Sequence, residues 1–214
     1  MRIAVVAGPP ASGKTALLLH ALERVRAKGL VAGVFKLDAV DASDGELYSA
    51  RGWPSMSVCA GDVCPDHEAM VRLGDAWNWA RGVGLDLLVM ETAGLCDRCS
   101  PFLRRALAIC VVSGMGSLAA PEKLKTLVGC ADTVVLARAE LLGPTERHIL
   151  MRRLETLNPE ARRHWVNGLT GEGCDGVAAE LLGAPDIRLL DIEALRATLP
   201  TGYCHFCQGG SVGT

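Results

Sequence analysis

A three-layer α/β domain with a mostly parallel central sheet is the architecture this sequence predicts, on three observations. Short apolar runs alternate with stretches of helical periodicity. The first run leads straight into a glycine-rich turn that opens a helix. No apolar run approaches the roughly 20 residues that a membrane span requires. The strand-like runs are Ile3–Ala7, Leu30–Leu37, Leu85–Met90, Ala108–Val112, Thr133–Leu136 and Trp165–Val166. Between them the periodicity predicts helices over Thr15–Lys28, closed by Gly29, and over Asp66–Arg81, Pro144–Leu157 and Asp175–Leu182. Pro144 is well placed to open its helix. Alternation of this kind means crossover units and a parallel sheet covered on both faces.

With 214 residues and 22.6 kDa the chain is large enough for one full core. One domain over residues 1–199 is expected, followed by a tail over 200–214 that is rich in glycine and carries a cysteine pair. The start, Met1-Arg2 and then Ile3-Ala4-Val5-Val6, reads as a strand and has no small-residue cleavage site, which predicts a soluble, cytoplasmic protein. A formal net charge of −2, from 22 basic and 24 acidic residues, leaves no basic stripe for a phosphate backbone, so neither nucleic acid nor membrane is an expected partner. Nine cysteines in a reducing compartment point to metal ligands ahead of disulfides.

Gly8-Pro9-Pro10-Ala11-Ser12-Gly13-Lys14-Thr15 fits the pattern G-x-x-x-x-G-K-[ST]. Glycines at the two ends let the backbone curl until its N–H groups point inward, at a helix start whose dipole favours anions. Lys14 is placed to reach β- and γ-phosphates as a point charge, and the Thr15 hydroxyl to ligate magnesium bridging the same oxygens. A strand before the motif and a helix after it supply the context, so the domain reads as a P-loop nucleoside triphosphate hydrolase. Asp38, at the end of the second run, and Glu91, just after Leu85–Met90, are candidates to hold the ion or orient the attacking water. Lys14, Asp38 and Glu91 are the expected catalytic residues; Asp41 is a rival to Asp38.

These residues resemble the nickel-insertion accessory GTPases that mature hydrogenase and urease, in the wider class that includes nitrogenase iron protein. The likeness spans most of the chain. GPPASGKTALL is similar to the family phosphate loop, and KLDAVDASDGELYSARG to its switch segment, with Asp38 at the Asp position. CAGDVCPDHEAM looks like the metal motif, with Cys64 and His67 in the places of the family's Cys and His. DLLVMETAGLCDRCSPFL resembles the third-strand motif, and LTGEG at 169–173 the loop near the base. The base-reading motif departs: where those GTPases have Asn-Lys-x-Asp, this chain has Ala137-Arg138-Ala139-Glu140. Glu140 would meet guanine as the family Asp does only with a shifted backbone, which leaves ATP and GTP both open, with a slight preference for ATP.

Cys96 and Cys99 form one C-x-x-C pair and Cys204 and Cys207 another. Together they supply four thiolates, enough for zinc, nickel or a [4Fe-4S] cluster. The pairs either meet within one chain or, in a homodimer, Cys96 and Cys99 of each subunit meet on the axis; the resemblance suggests the second. Cys59 is a possible addition to Cys64 and His67. Cys110 and Cys130 read as small core hydrophobes, and Cys174 starts a helix whose dipole would lower its pKa. The tryptophans Trp53, Trp77, Trp79 and Trp165 read as core or interface anchors. The resulting expectation is an NTPase with Mg2+ and ATP or GTP that switches a metal or cluster site and serves a client metalloenzyme. Its alternatives are an ATP-driven iron–sulfur electron donor and, less well supported, a small-molecule kinase.

Overall fold

The structure is a computed structural model that describes residues 1–38, 44–61, 63–94, 101–188 and 195–196. Its core is a seven-stranded sheet in the order β3-β2-β4-β1-β5-β6-β7, every pair parallel. The strands are β1 (Arg2–Ala7), β2 (Ala32–Asp38), β3 (Ser55–Cys59), β4 (Leu87–Thr92), β5 (Leu107–Ser113), β6 (Thr133–Ala137) and β7 (Arg162–Val166). Five of the six residues of β1 are buried, as an apolar strand covered on both faces must be.

Helices cover both faces, giving the three layers. Alternation along the strands divides the core in two. Val34, Leu87, Val89 and Ile109 pack with α1 (Lys14–Ala27) and α8 (Cys174–Leu182). Phe35, Leu88, Met90 and Val112 face α3 (Pro65–Val71), α4 (Leu73–Val83), α6 (Lys125–Cys130) and α7 (Pro144–Leu157). Two shorter helices, α2 (Asp44–Ala50) and α5 (Ala120–Lys123), complete the set among the described residues. Buried Asn158 ties the end of α7 to the turn before β6: its amide donates to the carbonyls of Val128 and Ala131, and its oxygen accepts from Ala161 N–H. Such pairing removes the cost of burying the amide, about 1–3 kcal/mol.

The predicted architecture is therefore present, with local differences. The helix expected over Asp66–Arg81 is two, α3 and α4, meeting at Arg72 (φ −85°, ψ 2°). Backbone bonds reach Arg72 N–H from Glu68 and begin again at its carbonyl, so the break is confined to one residue, next to the weak helix former Gly74. The sheet edges differ most. β3 is half exposed, without a continuous apolar run, and β7 begins at Arg162 instead of Trp165. Edge strands bury less and carry charge, so hydrophobicity marks them weakly. Trp53 and Trp77 are buried, as anchors should be. The N-terminus is held to the sheet by an ion pair to Asp186, and Arg196 is held by Asp132 and the carbonyls of Leu103 and Ala106. Among the described residues no helix is long and apolar enough to cross a membrane.

Candidate functional site

The chain leaves β1, moves to β2 and β3 on one side, returns to β4, and then crosses to β5 on the other side of β1. In an open parallel sheet, such a reversal leaves a crevice at the carboxyl ends of the strands. Residues 8–13 run directly from β1 into that crevice and end at Gly13, whose φ of +99° turns the chain into α1. The loop is pressed close to its neighbours. A Cβ on Gly8 would lie 2.3 Å from the Val111 carbonyl oxygen, and one on Gly94 (φ +55°) would lie 2.4 Å from Gly8 N. Only hydrogen fits at those two positions.

Lys14 is 7 % exposed, and its ammonium donates to the carbonyls of Gly8 (2.8 Å) and Pro9 (3.0 Å). Burial lowers its pKa below that of an ordinary lysine, partly opposed by the attraction of Glu91. Ser12 is buried with a hydroxyl that has no hydrogen-bond partner among the described residues. The loop, with Lys36, Asp38, Arg51, Glu91 and Arg138, lines a cleft of about 640 Å³, large enough for a nucleotide. Arg138 itself takes a left-handed backbone (φ +56°) and packs over Gly13.

Beside the loop lies a buried polar centre set by strand register. Lys36 of β2 pairs with Glu91 of β4, and both point to the α1 face. Thr15, in the first turn of α1, donates its hydroxyl to Glu91 Oε1 (2.9 Å). The Lys36 ammonium donates to Thr15 Oγ1 (3.1 Å) and Glu91 Oε1 (3.2 Å) and lies 3.6 Å from Asp38 Oδ2. Tyr48 of α2 donates to Glu91 Oε2 (2.7 Å). The sequence-predicted trio Thr15, Asp38 and Glu91 is thus brought together around one cation. A hydroxyl and two carboxylates are the hard oxygen donors magnesium takes, and the ammonium among them stands in for the ion, so the residues fit Mg2+. Lys36 and Tyr48 were not among the sequence candidates. A lysine inside the run Val34-Phe35-Lys36-Leu37, two residues before Asp38 and therefore on its face, was the available signal for the first.

On the opposite face of β4 stands a second polar cluster. Asp66, 1 % exposed in the first turn of α3, accepts from the Thr92 hydroxyl (3.0 Å) and Gly94 N–H (2.8 Å). Its neighbour His67 is buried, and Cys64 precedes α3 as its N-terminal flanking residue without a side-chain capping bond. Among the described residues no three His, Cys, Asp or Glu side chains cluster to hold a metal ion. Cys96, Cys99, Cys204 and Cys207 lie outside the described residues, as does Asp41. Cys174 differs from its expectation: at the head of α8 it is buried, and burial pushes its thiol up to about 11, partly opposed by Arg24. Cys110 is core as expected, its thiol pushed up to about 12 by burial, whereas Cys130 is only partly buried.

On the β6–β7 side, Glu140 is half-buried in a single 3₁₀ turn, Ala139–Leu141, and its Oε2 is sealed from solvent without a hydrogen-bond partner among the described residues. The loop 167–173 is shaped by Asn167, whose side-chain oxygen accepts from Leu169 and Thr170 N–H. It is held on α1 by Arg24, which donates to the Gly171 carbonyl.

The match to the CobW/HypB/UreG nucleotide-binding domain family covers residues 2–164 and takes in the loop, the polar centre and the Cys64–His67 segment. The chain belongs to this family of P-loop GTPases. An uncharacterised protein of Methanocaldococcus jannaschii, MJ0120, is 36% identical over 209 residues, covering 98% of this chain and 89% of its own length. The fold is shared with the hydrogenase maturation factor HypB of Archaeoglobus fulgidus (TM-score 0.68, 22% identity, 86% of this chain and 89% of that one). It is also shared with HypB of Helicobacter pylori, solved in complex with nickel (TM-score 0.70, 17% identity, 89% and 92%).

Proposed function

We propose that this protein is a GTP-hydrolysing metal-insertion factor that matures a client metalloenzyme, working as a homodimer. The observation that carries the proposal is the polar centre itself: Thr15, Asp38 and Glu91 gathered around a cation beside a phosphate loop. When nucleotide enters, Lys14 exchanges the carbonyls of Gly8 and Pro9 for phosphate oxygens, while the loop N–H groups and the start of α1 hold the remaining charge. Magnesium bound by Thr15, with Asp38 and Glu91 directly or through water, would neutralise charge developing on the transferred phosphoryl group. Glu91 is held from two sides, by Thr15 and by Tyr48, and so orients what it touches without searching. Arg51 and Arg138 are the remaining cations at the cleft wall and would offset phosphate charge.

For the base, family membership turns the earlier slight preference for adenine towards guanine. Glu140 Oε2 is buried with no hydrogen-bond partner among the described residues; brought to the base by a shift of its turn, it would accept from the N–H donors of guanine, a pairing that the corresponding edge of adenine does not offer. For the cargo, the reading rests on Cys64 and His67 at the head of α3 and, as a separate candidate set, on the pairs Cys96/Cys99 and Cys204/Cys207, which meet either within one chain or, for Cys96 and Cys99, across the axis of a homodimer. The ion is nickel or zinc, or a [4Fe-4S] cluster, treated as cargo. Its site is linked to the nucleotide through Gly8, Gly94 and Asp66, the residue before His67.

The test is anaerobic purification of the full chain, with metal analysis and absorption spectra before and after adding GTP. Nickel or zinc bound without iron or sulfide, released or retained according to nucleotide and diminished in Cys64→Ala, is the expected result. A protein that binds GTP but holds no metal in any nucleotide state would overturn the cargo role. A brown iron- and sulfide-containing protein that passes electrons on ATP hydrolysis would replace it with the electron-donor role.

A further inference from the structure

Lys36 occupies an unusual place for a lysine. It sits in mid-sheet, 3 % exposed, and its ammonium touches the hydroxyl and one carboxylate, and lies against the second carboxylate, of the trio that fits magnesium. Stripped of that ammonium, the centre would hold the buried carboxylate of Glu91 and the partly exposed one of Asp38 on one face of the sheet, an arrangement that attracts any hard cation. We propose that Lys36 is a tethered counterion that keeps the magnesium position closed until nucleotide arrives, so that the ion enters with phosphate and not alone. The inference rests on the proposed nucleotide site and adds a positioning residue to it.

A monovalent ammonium and a divalent ion cannot both lie about 3 Å from the same carboxylate oxygen without strong repulsion. Magnesium by itself must push the Lys36 ammonium off Glu91 and Asp38 while adding only positive charge to the pocket, which is costly. Magnesium arriving with a triphosphate brings anionic oxygens that can take Lys36 as it swings away, on a flexible four-carbon stem suited to such a move. The exchange also changes the partner of Asp38, the last residue of β2, and frees one of the two donors on Glu91 Oε1, whose other oxygen is bound by Tyr48 of α2. Entry of the ion is thereby felt at the end of β2 and in α2.

The test uses the full chain and Mn2+, which prefers the same oxygen donors and is counted through the resonance signal of the free ion. Without nucleotide, wild type is expected to take up Mn2+ weakly, Lys36→Met about tenfold or more tightly, and Lys36→Arg, which keeps the charge, like wild type. A structural role alone would not produce a gain of binding. Equal Mn2+ uptake by wild type and Lys36→Met would overturn the inference. Should Lys36→Met fail to fold, acylation of lysines in the wild type, read by mass spectrometry, replaces it. The reactivity of Lys36 is expected to change several-fold when magnesium joins a non-hydrolysable GTP analogue; no change would overturn the inference. Failure of nucleotide to bind at all would sink the proposed function while leaving the Mn2+ comparison readable.

Discussion

Glu91 and Thr92 are neighbours in β4, yet their side chains leave the sheet on opposite faces and enter two polar clusters of different character. On the α1 face Glu91 joins Lys36, Thr15, Asp38 and Tyr48, a centre with a cation and a cleft above it. On the α3 face Thr92 joins Asp66 and the backbone of Gly94 in a buried cluster, where one carboxylate oxygen accepts from a hydroxyl and a backbone N–H. The first is built to exchange partners and the second to fix geometry. One strand end serves both because side chains alternate with period two. What joins the clusters is backbone: Gly94, bound to Asp66, lies against Gly8 of the phosphate loop.

Substitutions on the two faces separate the clusters. Glu91→Gln removes a charge from a buried pair, since Lys36 and Glu91 are both almost fully enclosed, and is expected to cost about 3 kcal/mol in urea unfolding. It should also abolish the magnesium dependence of nucleotide affinity. Gly94→Ala forces a Cβ against Gly8 in a left-handed backbone and is expected to cost about 2–3 kcal/mol, with nucleotide affinity falling as the loop shifts. Asp66→Asn keeps an acceptor for Thr92 and Gly94 and loses the charge assistance of those two bonds, so about 1 kcal/mol is expected, with magnesium dependence unchanged. Should Asp66→Asn alter that dependence as much as Glu91→Gln, the division into an exchanging and a fixing cluster fails.

A smaller effect is expected with pH. The folded-state pKa of Lys14 is lowered, so between that value and 10.5 the unfolded chain binds more protons and stability rises with pH. Phosphate reverses the preference, because it holds the charged ammonium. Nucleotide binding should therefore take up a proton on the alkaline side, and affinity should fall as pH rises through the lowered value, earlier than an ordinary lysine would give. Calorimetry in buffers of different ionisation enthalpy reads the proton directly. In Lys14→Arg that limb should vanish.

How legible this was from sequence follows from what each feature depends on. The phosphate loop is contiguous, and its pattern encodes a backbone shape, so residues 8–15 could be read without a fold. Asp38 and Glu91 were found because they end apolar runs, which places them at the carboxyl edge before any register is known. Lys36 needed the register itself: only the pairing of β2 with β4 shows that its ammonium faces Glu91. Tyr48 and Asp66 act across 43 and 26 residues, on helices that periodicity either missed or merged. Cys174 was misjudged because a helix start suggests a lowered pKa, whereas its position against α1 buries it completely. The edge strands were short or missed for a related reason, as half-exposed strands carry little hydrophobic pattern.

The most direct test of the central claim, a magnesium–nucleotide centre at the end of β1, is calorimetric titration of the full chain with GTP and ATP, with and without Mg2+, in wild type and Lys14→Ala. Saturable binding of GTP in preference to ATP is expected, strengthened by Mg2+, and weakened on the order of 100-fold or more in Lys14→Ala as charge-assisted bonds to phosphate are lost. Nucleotide binding of equal strength in wild type and Lys14→Ala, or none in either, would contradict it.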